Sequence, residues 1–332
     1  MHAFTCGRCG QLVFFHNSVC LRCDAPLGFD PERLRMVVVA DEERRCIHTV
    51  TAGCNWLAAA PGEACASCRL TRTRPADGDV DALAAFAAAE AQKRRLVFNL
   101  RSIGLHLEPR DEVAGTGVAF DLLASDQQPV TTGHAAGVIT LDLAESDDVH
   151  REQVRALMRE PYRTVLGHFR HEIGHHLFTV IVTPDDLGEV RERFGDERAD
   201  YQAALDRHYE HGAPTGWEAE HVSEYATMHP AEDWAETFAH YLHIRATLET
   251  AAAYRLRVDG PTVEGGDAFA ADPASVDPAS LAALIETWLP LSYALNAVSR
   301  SLGDGDLYPF VLPPAVIAKL DLVHRLVQRA AD

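Results

Sequence analysis

The stretch His168-Phe169-Arg170-His171-Glu172-Ile173-Gly174-His175-His176 decides how this chain is read. On a helix, His171 and His175 stand four residues apart, about 6 Å along the axis and on one face. That spacing lets two imidazoles take two corners of a tetrahedral zinc site. Glu172 sits beside His171 and one turn before His175, so its carboxylate can reach a water at an open corner without ligating the metal. Pro161 suits the first turn of a helix that runs through the segment to about Val182. HExxH is a short pattern that also arises by chance in plain amphipathic helices, so it needs a third ligand and a fitting helix.

A third ligand is offered downstream, in Ser223-Glu224-Tyr225-Ala226-Thr227-Met228-His229-Pro230-Ala231-Glu232-Asp233-Trp234-Ala235-Glu236-Thr237-Phe238-Ala239-His240. Pro230 marks the start of a second helix, and Trp234, Phe238, Tyr241 and Leu242 give it an apolar stripe. Glu232 and Glu236 lie one turn apart on another face, and spacing alone leaves both open as ligands. The first-turn position favours Glu232, because the positive end of the helix dipole keeps a carboxylate ionised there. Glu236, one turn deeper, suits orienting a ligating imidazole. Two imidazoles and one carboxylate leave a corner for water, whose pKa zinc lowers to roughly 7, within reach of Glu172 as base. The variant with a third histidine six residues after the second is excluded by Phe178 and Ile181. His168 reads as a packed neighbour, His176 as lying off the metal face, and His208, His211, His221 and His229 as solvated loop residues.

All eight cysteines fall within the first 68 residues. Cys6-Gly-Arg-Cys9 and Cys20-Leu-Arg-Cys23 are two CxxC turns, each able to aim two thiolates at one zinc. Cys46, Cys54, Cys65 and Cys68 make a looser second set, with His48 as an alternative donor. No basic stretch followed by an apolar core opens the chain, so metal binding is expected before disulfides. The net charge is −19, yet residues 1–75 carry nine Lys/Arg against seven Asp/Glu. Each four-thiolate zinc site adds −2, which turns this +2 into about −2. Nucleic acid is therefore a poor partner, and protein contact or structural support is the expected role of the head.

Two resemblances sharpen the picture. HEIGH, then Tyr225, then Glu232 seven residues on, then Ala235-Glu236-x-Phe238, resembles the catalytic core of glutamate-type, lethal-factor-like zincins. That resemblance implies Glu232 as metal ligand and Tyr225 as oxyanion donor. Over nearly the whole chain the sequence resembles a bacterial family of zinc-binding metallopeptidases with an N-terminal zinc ribbon. The cysteine sets, Gly53-Cys54-Asn55-Trp56-Leu57, the HEIGHH helix, Asn296-x-x-Ser299-Arg300-Ser301 and Asp306-Leu307-Tyr308-Pro309-Phe310 carry it.

The expected fold is α+β: a double zinc ribbon over residues 1–75, then a zincin-like, mainly helical metallopeptidase domain with a small sheet over residues 76–332. Thr71–Asp79 reads as a linker, and Asp79 starts an alanine-rich helix to about Arg95. Val118–Leu122 and Gly137–Leu143 read as strands, the second as a candidate edge strand for an extended substrate. From Asp147 onward helices dominate, apart from Asp259–Pro278. Three zinc ions are expected, one catalytic and two structural, with a peptide or protein substrate, a cytoplasmic location and no membrane partner. The alternative is a zinc-binding scaffold or protein-interaction module without turnover. A nucleic-acid-associated protein directed by the ribbon is a third reading.

Overall fold

The computed structural model describes residues 2–40, 44–125, 129–158, 160, 162–261 and 269–332. Pro161 lies outside them. The chain forms two compact units, residues 3–176 and residues 177–332 together with the first two.

The first unit opens with two short antiparallel hairpins, β1 Phe4–Thr5 with β2 Leu12–Val13 and β3 Leu27–Asp30 with β4 Arg35–Val38. Strand β5 (Thr71–Thr73) and helix α1 (Val80–Ser102) follow. Then come β6 (Ala119–Leu123), β7 (Gly133–Ala135), β8 (Val138–Asp142), α2 (Asp148–Met158) and α3 (Val165–Ile181). Asp79 caps α1, accepting from the Ala82 N–H at 3.0 Å, and the helix runs nearly two turns beyond Arg95. Phe98 on α1 closes an aromatic cluster with Phe4, Phe15 and Phe29, at centroid distances of 5.2–6.5 Å. Phe98 thus enlarges the small apolar core that Phe4, Phe15, Phe29 and Trp56 form within the ribbon.

The sheet has the order β5-β6-β8-β7, with β5, β6 and β8 parallel and β7 antiparallel. Two expectations are corrected here. Thr71–Thr73, read as linker, is an edge strand, and the Gly137–Leu143 strand lies inside the sheet while β7 takes the other edge. The β7–β8 hairpin turns on Ala136 and Gly137, both at positive φ (48° and 79°), the backbone that a two-residue turn requires. A Cβ on Gly137 would also come within 2.8 Å of the Gly117 carbonyl oxygen. Along β8, Ile139 and Leu141 are buried while Val138, Thr140 and Asp142 are half-buried, the period-two pattern of a strand with one core face. Phe120, paired with Ile139, meets Phe169 of α3 edge-on at 5.5 Å. The HExxH helix thus packs on the buried face of the sheet.

The second unit contains α4 (Leu187–Phe194), α5 (Tyr201–His211), α6 (Pro230–Ala253), the hairpin β9 (Val258–Asp259) with β10 (Ala270–Ala271), α7 (Leu281–Ser301) and α8 (Pro314–Ala331). Helix α6 is its buried axis, with Trp234, Phe238, Tyr241 and Leu242 all at most 1% exposed. By length and composition α7 is apolar enough to cross a membrane. In the fold it buries Leu284, Trp288 and Leu291, and Asn296 holds the Tyr308 backbone through both its amide nitrogen and its oxygen. Arg300 and Asp306 pair bidentately at 2.6 and 2.7 Å, so this polar motif fixes the loop before α8.

Lys319 of α8 reaches Asp233 of α6 at 2.6 Å and donates to the Glu220 carbonyl at 2.7 Å. Burial pushes the Asp233 carboxyl up to about 7, although Lys319 draws it down. Lys319→Ala leaves that carboxylate without its cation and is expected to cost about 3–5 kcal/mol. With a raised folded pKa, Asp233 holds a proton that the unfolded chain has released, so stability falls as pH rises from about 4 through about 7. The urea midpoint of the variant should therefore drop more at pH 8 than at pH 5. An equal drop at both would remove Asp233 from the explanation.

Candidate metal centres

In the first cysteine set, the sulfurs of Cys6, Cys9, Cys20 and Cys23 lie within 4.8 Å of one another. Each CxxC turn ends on a residue at positive φ, Gly10 at 72° and Asp24 at 54°, whose N–H closes back on the Cys6 or Cys20 carbonyl at 2.9 Å. Cys6 and Cys20 are buried, and Cys9 and Cys23 are half-buried. Backbone N–H donation at Arg8 draws the Cys6 thiol down to about 7, toward the thiolate that zinc needs.

The second set brings Cys46, Cys54, Cys65 and Cys68 equally close, and all four are at most 3% exposed. The Cys46 sulfur accepts from the Cys65 N–H at 3.3 Å and the His48 N–H at 3.5 Å, and Cys65 sulfur accepts from the Cys68 N–H at 3.4 Å. Hydrogen bonds from Cys54, Cys65 and Cys68 hold the Cys46 thiol well below its ordinary range, while burial pushes Cys65 up. His48 instead meets the Thr51 hydroxyl at 3.3 Å. Eight free cysteines in two tetrads of soft donors, with backbone N–H groups aimed at sulfur, fit zinc.

The third centre lies on α3. The Thr164 hydroxyl accepts from the Gly167 N–H at 2.9 Å and so caps the helix start. The buried Phe169 and Ile173 then face the core, leaving His171 and His175 side by side. Their Nε2 atoms are 3.2 Å apart, with rings edge-on at 4.9 Å, and the Glu172 carboxylate belongs to the same cluster. Glu172 is 8% exposed. Arg170 donates to Asn99 Oδ1 of α1 at 2.9 Å, bracing the helix beside His171.

One residue here escaped the sequence reading. His134, the middle residue of β7, stacks nearly parallel on His175 at 6.0 Å and lies 6.2 Å from His176. Its Nε2 accepts from the Gly137 N–H at 3.1 Å, which fixes the ring. Burial, then His175, His176 and Arg110, lower its pKa to about 4, so it stays neutral at pH 7. His176 is buried and likewise lowered, first by desolvation and then by Arg110.

Glu232 and Tyr225 belong to the second unit. Glu232 sits in the first turn of α6, 2% exposed, and accepts from the Tyr201 hydroxyl at 3.0 Å. Glu236, one turn on, accepts from the Ser223 hydroxyl at 2.6 Å. Tyr225 opens a short 3-10 turn, 37% exposed, with its ring edge-on to His208 at 6.1 Å. Two histidines expected in solvent have other roles. His229 is buried and caps α6 by accepting from the Ala231 N–H at 3.0 Å, and half-buried His221 lies 3.7 Å from Asp233.

Comparison with known proteins places the chain. A family described as "Putative zinc-binding metallo-peptidase" matches residues 82–326, and the chain belongs to it. A zinc-ribbon domain matches residues 3–79. Uncharacterized proteins of Mycobacterium bovis and of two Mycobacterium tuberculosis strains are each 50% identical over 337 residues, covering 100% of this chain and 96% of theirs. No solved structure matches.

Proposed function

We propose that this chain hydrolyses peptide or related amide bonds in the cytoplasm, with one zinc held by His171, His175 and Glu232. The observation that carries the reading is the convergence on one helix of the His171 and His175 Nε2 atoms with the buried Glu172 carboxylate, all within 4.8 Å of one another. Zinc supplies Lewis-acid chemistry at such a site, polarising a carbonyl and acidifying water. Glu172 takes the proton of the attacking water and passes it to the leaving amine. Tyr225 donates to the developing oxyanion, as its spacing from Glu232 suggests. Among the described residues β7 is an edge strand, and its His134 stacks on His175, which suits an extended substrate adding to the sheet through its backbone. The ribbon turns Leu21 and Val50 outward, 90% and 92% exposed, which supports a protein-contact role for the head.

Freshly purified protein should contain three zinc ions per chain, two with sulfur ligands only and one with nitrogen and oxygen ligands. Metal quantification with X-ray absorption reads this directly. One zinc or fewer would sink the reading. Activity is tested by profiling the new termini that the protein generates in a proteome, against its Glu172→Gln variant. Full metal loading with identical profiles would leave the zinc-binding scaffold as the function.

A further inference from the structure

The second cysteine set has buried charged neighbours, whereas Arg8, inside a CxxC turn of the first, is exposed. Helix α1 lays Glu90, Lys93 and Arg94 beside it, at 0%, 0% and 5% exposure. Glu90 Oε2 is 3.8 Å from the Cys68 sulfur. Its Oε1 accepts from Lys93 Nζ at 2.5 Å and from the Thr71 hydroxyl, which in turn accepts from Lys93. Arg94 lies 3.9 Å from Glu90 and donates to the Ala52 and Gly53 carbonyls, just before Cys54, at 3.2 and 3.4 Å.

A zinc ion with four thiolates carries −2, and this site would keep that charge wholly out of water. Burying a charge is costly unless other charges compensate it. Lys93 and Arg94 bring two positive charges against the single negative charge of Glu90, so one buried positive charge is left for the metal site to balance. Glu90 brings one negative charge to within 3.8 Å of the Cys68 sulfur, where it adds to the negative charge of the thiolates. The half-buried Cys9 and Cys23 of the first set can use solvent instead.

We propose that Lys93 and Arg94 are the counter-charges of the metal in the Cys46/Cys54/Cys65/Cys68 site, and that Glu90 opposes them, so this buried trio sets how tightly that one site holds its metal. The inference rests on zinc binding by the two cysteine sets and not on hydrolysis, so an inactive protein would leave it standing.

The sign of the effect separates this role from a plain structural ion pair. In a structural pair, losing either partner strands the other and loosens the site both times. As counter-charges, Lys93 and Glu90 act in opposite directions. The test uses full-length protein loaded with zinc, a colorimetric chelator to follow release, and cadmium NMR of a parallel sample to assign each phase to its site. Lys93→Met should speed release from the second site by about 10–100-fold. Glu90→Gln, which keeps shape and hydrogen bonding, should slow it below the wild-type rate. The first site should release at an unchanged rate in both variants. Release that Glu90→Gln speeds or leaves unaltered overturns the proposal, and that variant alone decides if Lys93→Met fails to fold.

Discussion

Glu172→Gln should keep the fold and all three metals while hydrolysis falls by about 10²–10⁴-fold, the range typical of losing a general base. Glutamine has the same shape and can still accept a hydrogen bond, but it cannot take a proton from water at neutral pH. Glu172 is 8% exposed in the cluster with His171 and His175, and if the two imidazoles ligate as proposed, the exchange removes no ligand. Turnover and zinc content measured on the same samples separate chemistry from metal loss. Undiminished turnover would mean that Glu172 is not the base. A loss of zinc together with activity would mean that it ligates.

The second large effect concerns Glu232. Glu232→Ala is expected to empty the site of His171 and His175 while both cysteine tetrads keep their metal. Its carboxylate lies in the first turn of α6, nearly free of solvent contact and held by Tyr201, as a pre-set ligand would be. Glu236→Ala should weaken the same zinc by only about 10–100-fold, since an orienting group acts through the ligand it holds. Competition with a graded series of chelators ranks the two variants. The opposite ranking would move the ligand to Glu236 and withdraw the support that spacing gives to Tyr225.

The two cysteine sets, the HExxH helix and Pro230 opening α6 were legible because each is set by residues close in sequence. A four-residue spacing fixes a shared helix face, and a CxxC turn fixes a shared metal whatever surrounds it. His134 was not legible, because strand pairing alone brings β7 beside His175 across some forty residues. The position of β8 inside the sheet was hidden for a related reason. Its neighbour β6 pairs with β5, which composition marks as linker, and parallel pairing leaves no local turn signal. Glu90, Lys93 and Arg94 look like the solvated face of an alanine-rich helix, and only tertiary contacts reveal that they are buried. His229 sits directly before Pro230, so its capping role could have been read from the sequence.

Helix α1 bears on how far this protein can be divided. The two family matches meet between residues 79 and 82, and a cut there would separate the zinc-ribbon match from the metallo-peptidase match. In the fold, α1 gives Phe98 to the ribbon's aromatic cluster, Glu90 and its neighbours to the second tetrad, and Asn99 to the helix of His171. A chain beginning at residue 80 would strip Phe98 of its three ring partners and Glu90, Lys93 and Arg94 of their contacts with Cys68, Thr71 and the Ala52 and Gly53 carbonyls. The ribbon is therefore not a cassette that shuffling could trade for another head. Any relative that exchanged it would have to rewrite α1 as well.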